Sequence, residues 1–458
     1  MKGPPNKPEW CKGVPKATGP PPAASPPLLP AQLFIPPSQP TLSSPPAPPP
    51  APLSPPTPAS APPLPATPPI LASPPPAPAS PTSAGQEETH ALAIANTADF
   101  NSKVDPEVYS TETATWTPTA AQNLLQPECE LLLLQSGQIM CAGGYIFTPY
   151  DTTPPGGYTA ISTTQLYDPA TGAWQTTGSL NQPRVDFNLV LLTDGRVLAA
   201  GGDAVVLNPG EPLSPALANA EVWDPATGLW ALTGSMLAAR DAFELVALPD
   251  GTALACGGNV SAAAVATCEV YNPASGTFMS TGSMTTGRVD FQMLLLPETG
   301  QVVAAGGYFS AVSGSAALKS AEIYNPGTKT WAATGSMGTA RAAFGMVNLG
   351  TAVLAAGGDS SGSATASSEV YNVSTRSWAA THYLNSARSN SGHDFSVVSL
   401  KTAASAPLAL AVGGAGGRAG QSSAEVFSLQ TPGDYSSGIW QFTAPVDFPN
   451  GATDVVAF

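Results

Sequence analysis

The stretch "AEIYNPGTKTWAATGSMGTAR", residues 321–341, is written again with few changes elsewhere in the chain. "AEVWDPATGLWALTGSMLAAR" ends at Arg240, and "SEVYNVSTRSWAATHYLNSAR" ends at Arg388. In each, one aromatic residue is followed seven positions later by another. Between them Asp or Asn opens a turn, Pro in most copies fixes the next φ, and Gly or another small residue closes it. The stretch therefore reads as a hairpin whose two aromatics face each other across the strands.

Working outward, each hairpin is preceded by a paired glycine at the end of a short apolar strand. The pairs begin at Gly143, Gly201, Gly257, Gly306, Gly357 and Gly413, with steps of 58, 56, 49, 51 and 56 residues. The first aromatics are Tyr167, Trp223, Tyr271, Tyr324, Tyr371 and Phe427. The second are Trp174, Trp230, Phe278, Trp331 and Trp378, with Trp440 thirteen residues behind Phe427 across an insertion. Before a glycine pair, "FNLVLLTDGRVLAAGG" reads as two strands around an Asp-Gly turn. One repeat is thus four antiparallel strands of about 5–6 residues.

A four-stranded unit of about 50 residues with Gly-Gly, then Tyr, then Trp resembles the kelch repeat. That resemblance covers roughly residues 104–458. It implies an all-β fold, a β-propeller of four-stranded blades closed into a ring that hides its sheet edges. A non-closing β-solenoid fits the period and the aromatic pairing poorly. An extra hairpin, "EVYSTETATW" with Tyr109 and Trp116, precedes the six repeats, and "PVDFPNGATDVVAF" ends the chain. Seven blades are expected, the seventh shared between the chain ends and short of a strand. Six blades with an appended hairpin is the alternative.

Composition sets the remaining bounds. Of 52 prolines, 32 lie before residue 82, in runs such as "SPPAPPPAPLSPPTPAS". Proline cannot serve a strand ladder or a helix interior, so residues 1–100 are expected to be a disordered, polyproline-II-like tail, with the propeller over 101–458. The net charge of −15 argues against nucleic-acid binding. No apolar run reaches the length of a membrane helix, and "LLPAQLFIPP" is too short and proline-flanked for a signal-peptide core. Five cysteines without Cys-x-x-Cys suggest neither a zinc ribbon nor a disulfide scaffold. A Cys256–Cys268 disulfide between neighbouring strands is geometrically open, as are two reduced thiols. Cys129 and Cys141, offset by about three residues in the expected register, read as free thiols.

The most regular charged feature is an arginine after each hairpin: Arg184, Arg240, Arg288, Arg341 and Arg388. One reading is a ring of guanidinium groups near the pore, able to fork onto carboxylate, sulfate or phosphate. The other is that each bonds backbone carbonyls or a carboxylate of a neighbouring blade. The variable loops after the glycine pairs carry Tyr145, Phe147, Tyr150, Tyr158, Tyr308 and Phe309, which either stack on a ligand or fold back onto the ring. Asn259-Val-Ser and Asn372-Val-Ser are glycosylation acceptors in a secreted chain.

The first functional expectation is a non-catalytic binding module, its loops presenting a protein- or carbohydrate-binding face, with no cofactor and a monomeric ring. The proline-rich segment resembles hydroxyproline-rich cell-wall glycoproteins, which implies O-glycans and an extracellular or cell-wall setting. The alternative is an intracellular, cytoplasmic kelch scaffold whose arm binds SH3-, WW- or profilin-like domains. A third reading comes from propellers that resemble kelch domains and are copper-radical oxidases, such as the galactose oxidase family. These need two histidine ligands, a tyrosine crosslinked to cysteine and a second tyrosine. With His90 assigned to the tail, only His382 and His393 remain, and no cysteine stands in a recognisable crosslinking context.

Overall fold

Strand character in this chain follows depth. The computed structural model describes residues 89–95, 106–120, 122, 126, 129–148, 157–204, 216–260, 263–310, 315–389, 395–401, 407–414, 423–431, 433–443 and 452–458. In the fourth repeat the strands Gln292–Leu296, Gln301–Ala305, Ala321–Asn325 and Thr330–Ala333 pair antiparallel in that order. The second strand of the blade, like Val197–Ala200 and Ala253–Cys256 in the second and third repeats, is buried on both faces. Such a strand must be continuously apolar, and alanine fills the positions where adjacent blades come close. In the outermost strands only the aromatic turns inward, as Trp230 does within Leu229–Leu232.

Among the described residues there are seven such four-stranded sheets, arranged as the blades of a propeller. The aromatic pairs lie opposite one another as expected, Tyr324 across from Trp331 and Tyr371 across from Trp378, with ring centroids 5.2 and 5.1 Å apart. Even Phe427 faces Trp440, at 5.2 Å, because the insertion is taken up by a 3-10 turn at Tyr435–Ser437.

Two expectations are corrected at the chain ends. The seventh blade is not short of a strand, and the propeller begins before residue 101. The missing strand is His90–Ala95, "HALAIA", inside the segment assigned to the tail. It lies between the C-terminal strand Ala452–Ala457 and the strand Glu107–Ser110, and Thr115–Pro118 completes the sheet. Leu92 pairs with Val456 on one side and Val108 on the other. His90 and Phe458 exchange backbone hydrogen bonds of 3.0 and 2.8 Å. The first and last strands of the described residues are therefore stitched into one sheet, which closes the ring between them. The rest of the expected tail, residues 1–88, lies outside the described residues.

Ala93 sits mid-strand with ladder partners on both sides, Val455 and Glu107. Ala93→Pro removes a ladder bond in a central strand and is expected to cost about 3 kcal/mol or more. Urea unfolding monitored by tryptophan fluorescence measures this directly.

Candidate functional site

The five arginines are the largest fully buried side chains of the ring, at 0 to 2% exposure. Arg288 shows the pattern. Its Nη1 donates to the carbonyls of Gly306 and Ser320, at 2.8 and 2.9 Å, and its Nη2 donates to Glu322 at 3.0 Å. Arg184, Arg240, Arg341 and Arg388 pair likewise with Glu221, Glu269, Glu369 and Glu425, at 2.7–3.0 Å. Burial pushes each guanidinium below the usual arginine range, and its glutamate pulls it back. The ring of ligand-binding guanidiniums is thus corrected to a ring of structural braces, since the groups are sealed from solvent.

Each arginine also has a second attachment. Its carbonyl accepts from the second glycine of the preceding blade, as in Gly307 N–H to Arg341 O, 2.9 Å. That geometry places the glycine loops and the blade-to-blade connections on one face. The hairpin turns occupy the other. The glycine pair is required here. Gly306 and Gly307 have φ of 65° and 88°, and a Cβ on Gly306 would come within 2.5 Å of the Arg341 carbonyl.

On the loop face, residues just after the glycine pairs meet residues just after the arginines in isolated bridges. Val185 pairs with Asp203, Asp241 with Asn259, Val289 with Tyr308 and Ala342 with Asp359. Side chains from consecutive blades converge here. The Tyr308 hydroxyl donates to Asp359 Oδ2 at 2.6 Å, bridging two blades. A cavity of about 130 Å³ opens beneath, lined by Glu244, Asp290 and Gln292 together with Phe243, Phe291 and Phe344. Gln292 donates to Glu244 across a blade boundary, at 3.2 Å.

The electrostatics are those of crowded acids. Burial, then Asp241 and Asp186, push Asp203 up to about 7. Burial and Asp186 push Asp241 up to about 6, against a hydrogen bond from Asn259 that pulls it down. Burial and Asp290 push Glu244 up to about 8. Burial and the bond to Asp359 push the Tyr308 hydroxyl up. Oδ1 of Asp203, Asn259 and Asp359 are buried without a hydrogen-bond partner. An ionised Asp203 so placed is costly, and protonation lowers that cost. No repeat logic announces this group, because its residue types differ from blade to blade.

The other expected site residues fall as follows. Phe309 is 54% exposed beside half-buried Tyr308. Tyr145 is buried, and Tyr145–Thr148 pairs with Gly157–Ala160, which places Phe147 opposite Tyr158. Tyr150 lies outside the described residues. Asn259 is held in the acid cluster, whereas Asn372 is exposed in a hairpin turn. Cys256 and Cys268 face each other across the strands, Cα atoms 4.2 Å apart, and form a disulfide. Cys129 and Cys141 are also bonded, which corrects the expectation of free thiols. Leu131 faces Cys141, so Cys129 is offset by two positions and not three. An even offset puts both side chains on one face of the sheet, with Cα atoms 5.4 Å apart.

The described histidines and cysteines are placed as follows. His90 stacks on Phe458 at 5.6 Å, His382 is exposed, and His393 lies outside the described residues. All four described cysteines are in disulfides. Among the described residues no three His, Cys, Asp or Glu side chains are disposed to hold a metal ion.

Residues 299–338 match the Kelch motif. No curated protein matches the chain in sequence. Among solved structures, a fungal alcohol oxidase of the AA5 family in complex with copper is similar in fold, with a TM-score of 0.55 at 15% identity, over 78% of this chain and 74% of that one. The structure of YjhT aligns with a TM-score of 0.48 at 13% identity, over 60% of this chain and 91% of that one.

Two outcomes are expected. Arg288→Met leaves Glu322 buried without its cation and should cost about 3–5 kcal/mol in urea unfolding, part of it recovered when Glu322→Leu is added. The second concerns pH. Asp203, Asp241 and Glu244 have folded pKa values above their unfolded ones, so the folded state keeps protons that the unfolded chain has released. Their contribution is full below the ordinary carboxylate range and is lost as pH rises through 6 to 8. The thermal midpoint should fall by several degrees from pH 5 to pH 8.5, a dependence flattened in the triple variant Asp203→Asn, Asp241→Asn, Glu244→Gln.

Proposed function

We propose that this chain is a non-catalytic binding module whose ligand sits on the loop face, over the channel mouth. The observation that carries this reading is the convergence of Asp203, Asp241, Asp290, Tyr308 and Asp359 from four consecutive blades beside an exposed Phe309. Among the described residues the mouth is rich in acceptors, and the five repeated arginines beside it are consumed in the ring. It suits a ligand that brings hydrogen-bond donors and a flat apolar face, which is the chemistry of a carbohydrate. A protein segment that brings basic side chains satisfies the same acceptors. The Kelch motif supports an interaction role. The likeness to a copper oxidase rests on fold alone and brings no catalytic group to this chain.

The setting we favour is extracellular. Two disulfides in a chain of this kind belong to an oxidising compartment more readily than to a cytosolic scaffold. The proline-rich segment would then act as a glycosylated stalk.

Calorimetric titration against neutral oligosaccharides and basic peptides tests the reading. A ligand of this mouth should lose roughly tenfold in affinity, ~1.4 kcal/mol, on Phe309→Ala or Asp359→Asn. Carbohydrate binding should survive added salt, whereas a basic peptide should be weakened by screening. A ligand indifferent to both substitutions would place the binding surface elsewhere.

A further inference from the structure

The outer hairpin turns of four blades follow one recipe, "DPATG" at Asp168 and Asp224, "NPASG" at Asn272 and "NPGTK" at Asn325. In each, the Asp or Asn Oδ1 accepts a backbone N–H two residues on, at 2.8–2.9 Å. The fifth blade has "NVSTR" instead, at Asn372. Its backbone path is the same. Arg376 takes φ 55°, as Lys329 takes 56° and Gly276 takes 64° at the matching position. Asn372 Oδ1 still accepts a turn N–H, from Thr375 at 2.9 Å.

Two departures set this turn apart. Val373 replaces the proline that fixes φ, a change that ordinarily loses stability. That loss is offset in part by its N–H donating to the Thr351 carbonyl at 3.4 Å and its side chain packing on the core. Ser374 replaces Ala or Gly. Together they create Asn372-Val373-Ser374, an acceptor triplet that proline at its centre would have blocked. The side chain is exposed, and its Nδ2 makes no hydrogen bond among the described residues. The second triplet of the chain is placed differently. Asn259 lies in a short ladder, its Oδ1 is buried, and its amide bonds Asp241.

We propose that Asn372 carries an N-linked glycan and that Asn259 does not. Nδ2 attacks the anomeric carbon of an oligosaccharide diphosphate-lipid donor. The bond from that carbon to the diphosphate oxygen breaks, the diphosphate leaves with the electron pair, and the amide loses one proton. The transfer requires the secretory pathway, the compartment in which the Cys129–Cys141 and Cys256–Cys268 bonds also form. The turn lies on the face opposite the loops, so the glycan leaves the channel mouth open. This inference does not depend on the ligand-binding reading.

The test is peptide mapping of the chain from its native source, before and after enzymatic release of N-glycans. Release should convert Asn372 to Asp and leave Asn259 unchanged. In a secretory host, Val373→Pro and Ser374→Ala should each abolish the mass shift, and Asn259→Gln should not. Val373→Pro restores the turn residue of the other blades at the loss of the 3.4 Å bond to the Thr351 carbonyl, and Ser374→Ala removes the acceptor with the turn backbone untouched. An unmodified Asn372 in the native protein, or a glycan at Asn259, would overturn the proposal.

Discussion

A buried guanidinium at each of five blade junctions is the constraint on which the ring is built. Taking arginine and glutamate out of water is costly, and their attraction repays it only when geometry and further hydrogen bonds are close to complete. The surroundings are arranged accordingly. Glu322 accepts from Arg288 and also from the backbone N–H groups of Thr285 and Thr286, at 2.7 and 3.3 Å. Glu369 does the same with Gly338 and Thr339. At four of the five junctions one atom is left over, the Nε of Arg184, Arg240, Arg288 and Arg341, whereas Arg388 Nε donates to Glu425 at 3.0 Å. A brace this demanding tolerates one arrangement of the connection and penalises others. It therefore acts on which structure forms more than on how stable that structure is.

The copied stretch follows from that brace. Its first glutamate receives the arginine of its own blade, and its last arginine serves the next. Between them, the threonine of "TGSM" bonds the tyrosine hydroxyl of the following blade, as Thr281 does with Tyr324 at 2.6 Å and Thr334 with Tyr371 at 2.7 Å. The glycine after it lies against the next hairpin turn, where Gly335 N–H donates to the Arg376 carbonyl. The methionine is buried, Met284 and Met337 at 4 and 2% exposure. The glutamate, tyrosine, threonine, first glycine and arginine of the copied stretch thus each meet another blade or its connection, and that is a reason they are copied.

Features that repeat were legible in the sequence, and features that occur once were not. The blade, its hairpins and the aromatic pairs are periodic, so six copies corroborate one another. The strand His90–Ala95 has no glycine pair and follows a proline-rich segment, so nothing local distinguishes it. It becomes a strand because Val455 and Val456 arrive from the far end of the chain to pair with it. The arginines were legible as a pattern but not as a role. A cation near a pore and a cation sealed beneath it look alike until the register supplies Glu221 or Glu322. The Cys129–Cys141 bond was missed by one residue of register, which in a strand decides whether two side chains share a face.

The acid cluster occupies the positions that the brace leaves free. Two residues beyond four of the arginines stand Asp186, Ala242, Asp290 and Ala343, all at positive φ between 47° and 53°. Left-handed backbone at a residue with a Cβ costs roughly 1–2 kcal/mol. It is tolerated because the connection must turn sharply from the buried arginine into the buried phenylalanine that follows. Where blades four and five meet, it also lets Ala343 N–H donate to the Asp290 carbonyl, at 2.9 Å. The ring thus fixes the backbone at the mouth while the residue type there changes from blade to blade, and two residues further on Asn188, Glu244, Gln292 and Gly345 differ likewise. A rigid, repeated frame with unrepeated side chains around its opening is the arrangement on which the proposed binding role rests.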